Sequence, residues 1–209
     1  MTSIAPSKIV CVGRNYLAHA REMGNDVPPV PLLFLKPPSA LIGDGEMIVL
    51  PRASARVEHE GEVGVVVGAV LRRAGADEAR AGIAGITCVN DVTARDLQKS
   101  DGQWTRAKGF DSFCPAGPVV WAPPAGFDLA QLAVTCRVNG EARQFGRAVE
   151  MAFDIPFLVS YISQVMTLEP GDLIATGTPA GVGPLVAGDV VEVEIREVGV
   201  LRNIVVAEA

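Results

Sequence analysis

The stretch Val57-Glu58-His59-Glu60-Gly61-Glu62-Val63-Gly64-Val65-Val66-Val67-Gly68-Ala69-Val70 decides the fold. Its valine-rich second half reads as strand, so the whole is one long strand, charged at its start and buried at its far end. Side chains alternate faces along a strand, so Glu60 and Glu62 point the same way, roughly 6.6 Å apart. Two bare carboxylates that close repel by about 2.5 kcal/mol at an effective dielectric of about 20. On a solvated edge strand, water screens that repulsion. Here the acids lead straight into an apolar run, where they need a counter-charge, and a hard divalent cation supplies one. The residues alone leave both readings open.

Working outward, the neighbouring segments are also short strands. Residues 8–12, 32–35, 46–50 and 85–90 are apolar runs bounded by Gly, Pro, Asn or Asp. Residues 132–145 form the clearest hairpin, because Asn139-Gly140 between two strands favours a type I′ turn. Residues 172–175, 189–196 and 199–206 complete the strands. Helices are few. Residues 15–24 form a short one that Asn15 could cap, and another fits 77–81. Thr93 could cap the turn TARDLQ, and residues 99–116 read as loop. The best helix is 154–166, capped by Asp154, with Ile155, Leu158, Ile162 and Val165 on one face. Many strands with few helices, and no βαβ series, give an α+β fold that is predominantly β. With no linker or repeat, residues 1–209 are expected to be a single domain.

Composition excludes several functions. Of 209 residues, 24 are acidic and 18 basic, giving a net charge of −6 with no basic block, which argues against nucleic-acid binding. The longest apolar run, Val63 to Leu71, is far short of the roughly 20 residues a membrane span needs. The start MTSIAPSKIV lacks the pattern of a secretory signal, so a cytoplasmic location is expected. Cys11, Cys88, Cys114 and Cys136 are widely spaced, form no CxxC pair, and read as free buried thiols.

Four further clusters carry candidate chemistry. Asp91 ends the apolar strand 85–90. It either begins a turn or, if that strand lies beside the first, joins Glu60 and Glu62 in a three-carboxylate site with room for water and substrate oxygens. His19 and Glu22 share a face of the helix over 15–24. They are either a surface pair or a general base with its orienting carboxylate. Lys36 and Lys108 could face a pocket or snorkel to solvent. The loop Thr176-Gly177-Thr178-Pro179-Ala180-Gly181-Val182-Gly183-Pro184 is either a plain turn or a cradle for an anionic group.

Taken in order, these residues resemble a known family. Val12 to Tyr16, His19, Glu22, Phe34 to Pro37, His59 to Val66, Asn90 to Asp96, Ala107 to Asp111 and Thr176 to Pro184 are similar to the fumarylacetoacetate hydrolase family, from about Lys8 to Val206. The likeness is to its compact branch of acylpyruvases, fumarylpyruvate hydrolases and oxaloacetate decarboxylases. It implies a mixed β-sandwich roll, a homodimer, and a Mg²⁺ or Mn²⁺ site formed by Glu60, Glu62 and Asp91. It implies catalytic roles for His19, Glu22 and Lys108, and substrate contacts from Arg14, Lys36, Arg95, Gln98 and Thr178. Residues 15–27 would form a mobile lid. The implied activity is hydrolytic C–C cleavage of a 3-acylpyruvate-type diketo acid, such as fumarylpyruvate, with oxaloacetate decarboxylation on the same site. An isomerase or decarboxylase of unsaturated 2-oxo dicarboxylates, of the 2-hydroxyhepta-2,4-diene-1,7-dioate type, is the alternative. A non-enzymatic binding protein is the remoter one. Glycine at position 61, where the family often has a bulkier residue, leaves the spacing of the glutamates unchanged.

Overall fold

The computed structural model describes residues 4–209. In chain order it runs β1 (Ile9–Gly13), α1 (Leu17–Glu22), β2 (Leu32–Lys36), β3 (Leu41–Ile42), β4 (Met47–Leu50), β5 (Val57–His59) and β6 (Gly61–Val67). It continues α2 (Ala76–Ala81), β7 (Ile83–Asn90), β8 (Thr93–Ala94), α3 (Arg95–Asp101), α4 (Thr105–Lys108) and β9 (Cys114–Trp121). After the hairpin β10 (Ala133–Val138) and β11 (Glu141–Arg147) come α5 (Ile155–Val165), β12 (Leu173–Ala175), β13 (Gly183–Pro184), β14 (Val190–Ile195) and β15 (Gly199–Ala207).

Two curled mixed sheets carry the molecule, so the α+β, predominantly β expectation holds. One has the order β2-β1-β12-β6-β7-β9-β3 and the other β11-β10-β14-β15-β4. They pack face to face, β10 on β6, β14 on β7 and β15 on β9. Between them lies an aliphatic core that includes Val63, Val65, Ile86, Val134, Val193 and Leu201. On β6 both faces are buried, which explains its near-continuous valine run. No described helix is long and apolar enough to cross a membrane.

The hairpin forms as its Asn-Gly pair dictates, with Asn139 at φ 54° and Gly140 at φ 80°. Asp154 caps α5 by accepting from Phe157 N at 2.8 Å. The structure corrects other local expectations. Val165 is exposed at the end of α5, and Val159 takes its place in the core beside Ile155, Leu158 and Ile162. Asn15 and Thr93 do not cap helices. Asn15 instead accepts from Phe153 N and donates to Thr176 O, tying two loops together. Thr93 donates to the Asp91 carbonyl. Residues 99–116 are not loop throughout, since α3 ends in them, α4 lies within them, and β9 begins in them. The long strand over 57–70 is broken at Glu60: β5 leaves the large sheet to pair with β8 and β13, and β6 begins at Gly61.

Close strand packing makes glycine obligatory in β6. A Cβ on Gly64 would lie 2.4 Å from Val89 Cγ2 and 2.9 Å from Thr87 Cγ2, both on the paired strand β7. Gly64→Ala should therefore lower stability by about 1–3 kcal/mol, as overpacking does. A reduced urea midpoint checks this, and an unchanged midpoint would show that β7 yields without cost.

Candidate active site and metal centre

The centre sits where several strands of the large sheet end together. In the antiparallel pairing of β6 with β7, Gly61 lies opposite Asn90. The start of β6 and the end of β7 thus lie side by side, which brings Asp91 to Glu60 and Glu62. Two hydrogen bonds fix the junction: Asp91 N donates to Glu60 O at 2.8 Å, and Glu60 N donates to the Asn90 side-chain oxygen at 3.0 Å. Because Glu60 spends its backbone groups on this corner, the strand breaks there. On the other side of β6, β12 pairs up to Ala175 opposite Gly64, and the loop after it passes Glu62. Parallel pairing of β1 with β12 brings Arg14 and then α1, with His19, to the same edge.

Oxygens of Glu60, Glu62 and Asp91 all lie within 4.8 Å of one another, and all three residues are buried. Their surroundings differ. Glu60 is held by Lys108 Nζ at 2.8 Å and Arg95 at 2.5 Å. Burial pushes its carboxyl pKa up, but Lys108 and Arg95 overcome this and hold it well below the ordinary value. Glu62 has no cation, only a hydrogen bond from Gly177 N at 2.7 Å. Burial first, then the neighbouring Asp91 and Glu60, push its pKa well above the ordinary value. Asp91 meets Lys108 Nζ at 2.6 Å on Oδ2. Lys36 Nζ lies 2.6 Å from Oδ1 and also donates to the Val92 and Lys108 carbonyls.

Lys108, at the end of α4, is 1% exposed. Burial alone would lower its pKa, but Asp91 and Glu60 more than offset that and raise it. Its ammonium also lies 4.9 Å from the centre of the Phe34 ring. Arg95 spans Glu58, Glu60 and Gln98, with contacts of 2.6, 2.5 and 2.5 Å. His19 Nδ1 faces Glu22 at 3.2 Å, and the Glu22 carboxylate also accepts from Gly181 N at 3.0 Å.

One cavity of about 70 Å³ joins these groups. His19, Lys108 and the three carboxylates line it, as do Arg14, Arg95, Gln98 and Thr178. Two expected site residues do not. Lys36 is buried behind Asp91, where it neutralises the carboxylate rather than meeting a ligand. Glu22 stands behind His19. The cavity wall also contains Met23, Asn25, Phe34 and Trp104. Nothing in residue type or spacing marks Met23, Asn25 or Trp104 as site residues. Cysteine chemistry has no foothold here: all four cysteines are free and buried. Burial pushes the thiols of Cys88, Cys114 and Cys136 up to about 12.

The residues present fit a divalent cation. The donors are all oxygen, and one carboxylate, Glu62, lacks a direct cationic partner among the described residues. Glu62→Gln would remove the uncompensated buried charge. In the metal-free protein this should raise the melting temperature. Added Mn²⁺ should then give little of the stabilisation it gives the wild type, about 2.7 kcal/mol at a concentration of about 100 times Kd. Thermal melts with Mn²⁺ and with EDTA check both effects. Full Mn²⁺ stabilisation of the variant would remove Glu62 from the ligand set.

Known proteins match the chain over nearly its whole length. The chain is 45% identical, with a TM-score of 0.91, to the crystal structure of 5-carboxymethyl-2-hydroxymuconate delta-isomerase from Mycobacterium smegmatis, covering 100% of this chain and 82% of that one. It is 32% identical, TM-score 0.91, to fumarylpyruvate hydrolase from Pseudomonas aeruginosa in complex with Mn²⁺ and pyruvate, covering 98% and 91%. It is 43% identical to the mitochondrial oxaloacetate tautomerase FAHD2A of Bos taurus over 96% of this chain and 67% of the relative. Residues 8–206 match the family described as fumarylacetoacetate (FAA) hydrolase C-terminal, and the chain belongs to that family.

Proposed function

We propose that the protein is a divalent-cation-dependent enzyme that cleaves a C–C bond of a 3-acylpyruvate-type acid, giving pyruvate and a carboxylic acid. The observation that supports this best is that His19, backed by Glu22, and the set Glu60, Glu62 and Asp91 wall a single cavity. Mg²⁺ and Mn²⁺ both suit the oxygen donors. A bound cation would chelate the 2-oxo acid end of the substrate and stabilise enolate charge.

The side chains have distinct tasks. With Nδ1 turned to Glu22, His19 has Nε2 left to take a proton from water. The resulting hydroxide attacks the distal carbonyl. As the C–C bond breaks, its electrons pass to the pyruvate fragment, which leaves as an enolate and is then protonated. Lys108 places a fixed positive charge where that enolate oxygen develops, so its attraction grows toward the transition state. Arg14, Arg95, Gln98 and Thr178 supply polar groups for the carboxylate ends.

A second reading has its own support. In this reading the enzyme interconverts keto and enol forms of an oxaloacetate-sized substrate. The proton then moves through His19, and neither water nor C–C cleavage is needed. The likeness to a tautomerase and an isomerase supports it.

Pyruvate release from fumarylpyruvate, acetylpyruvate and oxaloacetate, each with Mg²⁺ and with EDTA, tests the proposal. Metal-dependent release from a diketo acid is the expected result. Enol loss without pyruvate release would favour the second reading, and activity undiminished by chelator would sink both. His19→Ala should cost about 10²–10⁴-fold in diketo acid hydrolysis. It should cost far less in oxaloacetate decarboxylation, which needs no attacking water. Equal losses would remove His19 from water activation.

A further inference from the structure

Behind the carboxylates lies a second polar cluster, of which the mechanism above uses only Thr178. It joins His59, Gln144 and Thr178 to the backbone of Gly61 and Pro179. Gln144 is its hub. It lies on β11, far from the other site residues in sequence, and is 2% exposed. It reaches the interior through a bulge. Cys136 pairs with Gln144 while the next residue, Arg137, pairs with Ala142, so Arg143 is the extra residue. As a result the amide points inward and the neighbouring Phe145 points to solvent, 64% exposed.

The orientation of the Gln144 amide follows from its neighbours. Gly61 N can only donate and lies 2.9 Å from Oε1. The Pro179 carbonyl can only accept and lies 2.7 Å from Nε2. These two contacts fix which end of the amide is oxygen. His59 Nδ1, 3.0 Å from the same Oε1, must then carry a proton and donate it. The second Nε2 hydrogen goes to Thr178 Oγ1 at 2.8 Å, and the Thr178 hydroxyl donates to Gly61 O at 3.0 Å. All four hydrogen-bonding capacities of the amide are used.

These bonds form a closed ring through the peptide groups of one residue. Gly61 N donates to Gln144, Gln144 donates to Thr178, and Thr178 donates back to Gly61 O. Gly61 lies between Glu60 and Glu62. Strand β12 has already ended opposite Gly64, so here two side chains replace the missing strand. The approach needs glycine at 61, since a Cβ there would lie 2.8 Å from Cys136 Cβ and 3.6 Å from Gln144 Oε1.

We infer that Gln144 is a positioning residue for this site. One of its ends holds the peptide that sets the spacing of Glu60 and Glu62, and the other fixes Thr178 against the cavity. The inference rests on the cavity being the active site, as proposed above.

Two variants of the chain separate the two ends. Gln144→Glu keeps an acceptor for Gly61 and His59 but cannot donate to Thr178 or Pro179 as a carboxylate. Gln144→Leu keeps neither. The probes are Mn²⁺ alone and then pyruvate added to the Mn²⁺-loaded protein, with a thermal melt of each variant. Gln144→Leu should weaken Mn²⁺ binding about 10–100-fold, the usual effect of losing support behind a ligand. Gln144→Glu should keep Mn²⁺ affinity near wild type and weaken pyruvate. Variants that melt lower but bind both probes as the wild type does would show a merely structural role and overturn the inference. If Gln144→Leu does not fold, Gln144→Glu decides: pyruvate affinity equal to wild type overturns it. Wild-type protein that binds neither probe would overturn the cavity assignment itself, and this inference with it.

Discussion

Everything about this molecule turns on how four carboxylates are kept inside it. Glu58, Glu60, Glu62 and Asp91 converge near the junction of β5, β6 and β7, and all are buried. Lys36, Lys108 and Arg95 are buried with them and reach three of the four directly. Removing one partner from such an assembly costs about 3–5 kcal/mol, because the charge left behind has no water. The site is therefore part of the fold's energetics as well as its chemistry. Glu62 is the one member that the protein's own cations do not reach, and this is what leaves the assembly short of positive charge.

The backbone explains why the charges meet. Gly64 allows β6 to press on β7, and Gly61 allows it to press on β10 and β11. With those contacts made, the antiparallel register sets Glu60 and Glu62 beside Asp91. The cations come from elsewhere: Lys36 from the end of β2, Arg95 from the start of α3, and Lys108 from the end of α4. Each approaches a position that the strand ends have already determined.

Much of this was legible in the amino-acid sequence, for identifiable reasons. The valine run of β6, the Asn-Gly hairpin and the Asp154 cap are local signals, and each predicts its own element. The carboxylate set was legible because acids leading into an apolar strand are anomalous. The break at Glu60 was not, because it depends on Asn90 and Asp91, some thirty residues away, capturing its backbone groups. Helix α4 is a single turn, too short to show a period. Asn15 and Thr93 have the chemistry of caps, but distant or preceding backbone groups claim their side chains. Lys36 resembles a pocket residue in sequence, and only the packing shows that it faces the back of Asp91. Gln144 was hidden for a similar reason: a bulge one residue away reverses the face it occupies.

The shared carboxylate of Glu22 has a consequence of its own. It touches both the imidazole of His19, on its own helix, and the backbone of Gly181, in the loop after β12. Gly181 has φ 98°, and a side chain there would collide with the Arg143 carbonyl, so that anchor is a rigid one. Helix α1 cannot part from the loop without breaking the Glu22 to Gly181 contact. The carboxylate that steadies the imidazole is thus also a clasp: the contact that orients His19 and the contact that ties the helix to the loop share one side chain. Drawing the helix away from the loop would loosen both at once, so the imidazole and its helix hold their places together.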